Sequence, residues 1–238
     1  MNRPYIICHI LSALDGKIAG AFFGEAATGK ASGEYARIRQ EYQAQAWLYG
    51  TTTTKEFTDF KQPVLEPLHE PVPEGDYIAE TGRALYYVSV DTLGEIAWDS
   101  GIYRRTGRPD AHVIELLTET TPPAYRAYLR KRGVSYLIAG GDSLDCQLAA
   151  RKLKALFGIE TMLICGGGTV NWSFLRQGVV DELSLLLAPV ADGDPHTPTV
   201  FERMEQDGAP PVTFRLKSAV TLPNDIVHLT YQTANPEM

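Results

Sequence analysis

Apolar residues run almost unbroken from Tyr5 to Ser12, the pattern of a strand buried on both faces near the middle of a sheet. Asp15-Gly16 then turns the chain into a glycine-rich loop that reaches Gly29. Ser32 is placed to cap a helix running to about Ala46, which lines up Tyr35, Ile38 and Tyr42 on one face. Residues 47–50 read as a short buried strand entering a turn of four threonines, Thr51 to Thr54. Further strands are predicted over 85–91, 111–117, 134–139, 160–165 and 181–189, and helices over 123–132 and 169–177. Another helix carries Leu144, Leu148, Leu153 and Leu156 on one stripe, with Asp142 as its cap, Asp145 in its first turn and Gly158 at its end. Residues 213–220 and 226–233, joined at Pro223-Asn224, predict a closing hairpin. Prolines 63, 67, 71 and 73 can neither continue a helix nor donate to a ladder, so that stretch is a surface excursion. Alternating βα units with an all-β tail predict one α/β domain over 1–238, a mixed, mostly parallel central sheet flanked by helices and ending in a C-terminal β-hairpin.

Composition narrows the function. With 44% hydrophobic and 21% charged residues in 238, the chain is neither disordered nor fibrous. A formal net charge of −7 supplies no field to gather a polyanion, so no nucleic-acid partner is expected. The cysteines, Cys8, Cys146 and Cys165, lack C-x-x-C spacing and the five histidines form no ligand motif, which predicts a reducing compartment and no metal. The apolar run after Arg3 contains His9 and meets Asp15 and Lys17 without a cleavage site, and no stretch is long enough to span a bilayer. These features predict a cytoplasmic protein with no membrane partner.

Four segments could carry chemistry. Cys165-Gly-Gly-Gly-Thr-Val-Asn171 sets three glycines between a strand and a helix, where free N–H groups and a positive dipole favour an anion such as a pyrophosphate; the alternative is a tight turn without ligand. It is not the dinucleotide fingerprint, because Asn171 stands at the third glycine position. Gly24 to Lys30 spells G-x-x-x-x-G-K but ends in Ala31, without the hydroxyl that holds magnesium, so it reads as a loop. Gly50 to Lys55 offers four hydroxyls and a cation that could meet a phosphate, or merely a solvated turn. Asp15 and Lys17 close the first strand, at the edge where open α/β sheets keep ligands; the competing reading is a D-G turn with an exposed lysine.

Taken together, Ser12-Ala-Leu-Asp-Gly-Lys-Ile-Ala19, Gly50 to Thr53, Tyr87-Val-Ser-Val-Asp91, Cys165-Gly-Gly-Gly168 and Gly178-Val-Val-Asp-Glu182 leading to Ala188-Pro189 resemble the C-terminal reductase domain of the bacterial bifunctional riboflavin deaminase-reductase. The resemblance covers about residues 4–233 and implies a single dihydrofolate reductase-like domain, a stand-alone reductase without the zinc deaminase half, NADPH as hydride donor, and a homodimer. It implies cofactor contacts at Ser12, Thr53, Thr92, Gly167, Gly168, Thr169, Val170 and Asn171, and a substrate mouth at Asp15 and Lys17, the best local proton donors. Lys55 is the cation suited to the 2′-phosphate. Two substrate positions depart from the family: Cys165 stands where a glutamate contacts the substrate, and Glu41 where an arginine helps hold its phosphate. The implied activity is hydride transfer from NADPH to a C=N or C=O group of a small heterocyclic or ribityl-like molecule, resembling that of 5-amino-6-(5-phosphoribosylamino)uracil reductase of riboflavin biosynthesis. The two departures predict a substrate other than that aminouracil phosphate, and the rival enzyme reading is a true riboflavin-pathway reductase that holds its substrate through other residues. The alternative is a catalytically silent NADP-binding regulatory module of the same fold.

Overall fold

The computed structural model describes residues 2–203 and 208–234, which fall into two compact units, residues 2–4 with 45–160 and residues 5–44 with 161–203 and 208–234.

In the first unit, β2 (Ala46–Tyr49), β3 (Tyr86–Val90), β5 (Ala111–Leu117) and β6 (Ser135–Ile138) run parallel in that spatial order, and the short β4 (Ile102–Tyr103) pairs antiparallel with the start of β5. Their near-continuous burial is what a parallel sheet covered on both faces demands. The helices are α2 (Thr51–Phe57), α3 (Pro123–Lys131) and α4 (Cys146–Phe157). Two expectations change here. The threonine segment is helix α2, and the cap of α4 is Asp145, whose side chain accepts from the Leu148 amide, instead of Asp142.

In the second unit, β7 (Thr161–Ile164), β1 (Tyr5–Ser12) and β8 (Glu182–Leu187) are parallel, and β10 (Ile226–Thr233) joins β8 antiparallel and carries β9 (Phe214–Leu222) at its edge, the predicted hairpin. Helix α5 spans Gly168–Arg176. Helix α1 begins at Ala26, earlier than the expected Ser32, so the G-x-x-x-x-G-K stretch lies largely inside a helix and cannot wrap a phosphate. It packs Ala31 and Ile38 onto Leu11, Leu186, Ala188 and Ile226, with Tyr35 and Tyr42 alongside.

A buried polar chain fixes the register of α1. The His9 ring stacks on Tyr35 at 4.2 Å, its Nε2 donates to the Tyr35 carbonyl (3.1 Å), and the Tyr35 hydroxyl donates back to the His9 carbonyl (3.2 Å). Because a carbonyl only accepts, Nε2 carries the proton and Nδ1 must accept from Ser184 Oγ (3.0 Å), which leaves Ser184 Oγ to accept from His228 Nε2 (2.8 Å). Burial holds the His9 pKa down at about 3.

Candidate functional site

In the second unit, β1 ends at Ser12, fully buried with its hydroxyl donating to the Ala13 carbonyl (2.8 Å). The turn that follows closes through Ala13 N to Lys17 O (2.9 Å) and is gripped by a later segment, residues 193–202. Asp15 accepts from the Gly193 amide (2.7 Å), Lys17 Nζ donates to the Thr197 carbonyl (2.7 Å), Ile18 N donates to Pro198 O (3.0 Å), and Val200 N donates to Gly16 O (3.1 Å). The same segment reaches the glycine triplet: Asn171 Nδ2 donates to Val200 O (2.7 Å), and Glu202 N donates to Gly168 O (3.0 Å). Thr199 Oγ1 donates to Glu202 Oε1 (2.7 Å), which holds the clasp in shape. Two motifs far apart in sequence are thus bound to one strap.

The triplet itself is built for close approach. Gly167 has φ +92°, a conformation closed to ordinary side chains, and a Cβ on Gly168 would lie 2.4 Å from the Thr199 carbonyl oxygen. Among the described residues, the amides of Gly167, Gly168, Thr169 and Val170 donate no hydrogen bond, and the fully buried Asn171 Oδ1 has no donor. Four free N–H groups at a helix start, beside an acceptor lacking its donor, suit a ligand that carries both an anion and polar hydrogens. A dinucleotide's pyrophosphate and its hydroxyl or amide groups meet that description.

In the first unit, the carboxyl ends of the parallel strands form a linked rim. Thr51 Oγ1 donates to Val90 O (2.6 Å), Thr121 Oγ1 to Thr92 O (2.9 Å), and Glu119 N to Gly140 O (3.0 Å). Thr54 is buried against Tyr87 and Ser89 (3.1 and 3.2 Å), while Thr53 stays half-exposed at the start of α2. Sequence reasoning missed Asp91, whose buried carboxylate accepts the amides of Gly94, Glu95 and Ile96 at 2.9, 2.7 and 2.8 Å. Burial raises its pKa despite those bonds. A polar residue directly after a strongly apolar strand was the available signal.

Three expected roles meet different surroundings. Asp15 is exposed, and the Gly193 amide holds its carboxyl below the usual carboxylate range, so it anchors the strap with no proton to give at neutral pH. Lys55 is a helix residue paired with Glu95 at 2.9 Å, where a free cation beside a turn was expected. Glu41 is exposed at the end of α1 and paired with Arg37, so its charge is met within its own helix. Cys165 is half-buried at the end of β7, next to the triplet, and the Cys8 thiol is pushed far above its ordinary range by burial and then by Cys165.

Among the described residues no helix is long and apolar enough to cross a membrane, and no group of three His, Cys, Asp or Glu could hold a metal ion. Residues 4–228 match the RibD C-terminal domain family. The 2,5-diamino-6-ribosylamino-4(3H)-pyrimidinone 5′-phosphate reductase of Methanothermobacter thermautotrophicus is 28% identical over 227 residues, 94% of this chain and 96% of its own. A pyrimidine reductase-like protein from Corynebacterium diphtheriae shares the fold with TM-score 0.68 at 16% identity, covering 99% of this chain and 94% of that one. Acinetobacter baumannii RibD does so with TM-score 0.66 at 21% identity, over 98% of this chain and 59% of that one.

Proposed function

The chain belongs to the RibD C-terminal domain family, and on that footing we propose that it is an NADPH-dependent reductase of a ribosylamino-pyrimidine phosphate, the substrate class its relative's name carries. The family and the named relatives favour a working reductase over a silent nucleotide-binding module. The observation that carries the proposal is the row of unpartnered amides from Gly167 to Val170, strapped to the Asp15–Lys17 turn.

NADPH, when bound, supplies the hydride for a C=N or C=O group. Gly167, Gly168, Thr169 and Val170 hold its phosphates through their amides, and Asn171 Oδ1 accepts from a cofactor N–H or O–H. Ser12 ends β1, the strand paired with the β7 that leads into them. Thr53 and Thr92 are assigned cofactor contacts on the strand-end rim of the first unit. Lys17 takes the proton-donor role: its ammonium has three hydrogens and gives one to Thr197, while Asp15 holds the turn in place. Cys165, neutral where a glutamate is expected, lines the substrate side of the triplet. The relative's name carries a 2,5-diaminopyrimidinone phosphate, so the expected departure becomes a choice between that compound and the 5-aminouracil phosphate. Adding each of these two pyrimidine phosphates and following NADPH oxidation by absorbance should show turnover of the diamino compound, and turnover of neither would overturn the substrate assignment.

Thr169→Glu tests the anion site. Thr169 is exposed in the first turn of α5, where a carboxylate is favoured by the helix dipole, so the fold should hold or gain a few tenths of a kcal/mol. The same charge repels a pyrophosphate, and NADPH affinity should fall by about ten- to a hundredfold in calorimetry. Unchanged affinity in the folded variant would remove the triplet from the cofactor site.

A homodimer is proposed on the sheet of the second unit. Register places Leu185 opposite Leu229, Leu187 opposite Val227, and Tyr231 opposite Leu216, giving one apolar face that is half-exposed and, at Leu216, 54% exposed. A second copy is the natural cover for such a patch beside an edge strand. Sedimentation should report about twice 26.2 kDa, and Leu229→Glu should yield monomer. A wild-type monomer at micromolar concentration would exclude the dimer.

A further inference from the structure

We propose that Glu95 sets how far this chain discriminates between phosphorylated and unphosphorylated nicotinamide dinucleotides, by competing for the ammonium of Lys55. The inference rests on the NADPH reading above and on Lys55 as the cation for the 2′-phosphate.

Lys55 lies in the last turn of α2, and its ammonium is 2.9 Å from Glu95 Oε2. The pair is only partly screened, because the Lys55 side chain is 20% exposed and that of Glu95 40%. Glu95 does not drift to this position. Asp91 fixes its amide at 2.7 Å and those of Gly94 and Ile96 on either side. Gly94 has φ +76° and sits so close to Tyr125 that a Cβ would lie 2.8 Å from that ring, so the loop is pinned from below as well. An incoming phosphate dianion must therefore displace or share a carboxylate whose backbone is anchored beside Lys55. An unphosphorylated ribose meets a different partner, since the same carboxylate can accept from its hydroxyls. Lys55 alone would favour NADPH strongly; Lys55 with Glu95 built against it favours NADPH weakly.

Affinities of the full chain for NADPH and for NADH, measured by calorimetry at low and at high salt, decide the matter. Wild type is expected to prefer NADPH by less than about tenfold. Glu95→Gln, whose amide still bonds hydroxyls, should tighten NADPH by about three- to tenfold and leave NADH within about twofold, and the gain should shrink at high salt. In a Lys55→Met background, Glu95→Gln should give no gain beyond the relief of direct repulsion, about twofold or less. The inference is overturned if Glu95→Gln leaves the NADPH to NADH ratio unchanged, if it weakens NADPH, or if the gain survives intact without Lys55. Binding of neither dinucleotide to wild type would overturn the cofactor reading and this inference together. Normal binding with an unmoved ratio overturns this inference alone.

Discussion

Gly168→Ala should lower stability by about 2–3 kcal/mol, a fall in melting temperature of roughly 5–10 °C for a chain of this size. The added Cβ would lie 2.4 Å from the Thr199 carbonyl oxygen and 2.6 Å from Glu202 Cγ. Backbone cannot yield as a flexible side-chain tip can, so either the start of α5 or the 197–202 strap must move. That strap also holds Lys17 through Thr197 and Gly16 through Val200, so its displacement loosens the first-strand turn at the same time. NADPH affinity should therefore fall together with stability. Gly29→Ala is the control: it lies inside α1 with nothing within 4 Å of the added carbon, and should gain about 0.5–1 kcal/mol. Calorimetric melting that finds Gly168→Ala as stable as wild type would show that the strap does not rest on the triplet.

The sequence was most readable where a single physical pressure acted. The buried strands β1, β3, β5 and β7 are apolar because both of their faces are covered, and their runs showed it. Helix α2 was hidden because four β-branched threonines argue for extended chain. What makes it helical is tertiary: Thr51 bonds the Val90 carbonyl and Thr54 fits between Tyr87 and Ser89, contacts that no local pattern encodes. The first turns of α1 were hidden by Gly24, Gly29 and Gly33, whose poor propensity is outweighed by burial of Thr28 and Ala31. For the site, the triplet was legible because glycine is required there. The strap was not, because it grips through backbone amides and carbonyls that any residue supplies. Glu95 gave no signal either, since its effect depends on a lysine in a different strand–helix connection.

Acid should unfold this protein earlier than its carboxylates alone would dictate, because His9 is fully buried and neutral with its pKa held at about 3. A histidine depressed in the folded state contributes stability that is present above its unfolded value of 6.5 and is lost as pH falls from there toward 3. The loss runs at about 1.4 kcal/mol per pH unit, or about 2 kcal/mol by pH 5. The cause is structural as well as dielectric. A protonated Nδ1 can no longer accept from Ser184, so the ordered sequence His228 to Ser184 to His9 to the Tyr35 carbonyl breaks where α1 meets the sheet. Tyr35, Tyr42 and Arg39 from α1, Ser184 and Glu182 from β8, and His228 from β10 surround or act on this chain, and none places a carboxylate on His9 to offset the new charge. His228 is itself depressed by burial and adds a loss of the same sign. His9→Gln can still donate to Tyr35 and accept from Ser184 but cannot titrate. It should be less stable than wild type at pH 7, through the lost ring stack, yet show a shallower decline between pH 6.5 and 5, with the two melting curves converging. Equal slopes for both proteins over that interval would show that His9 takes no part in acid unfolding.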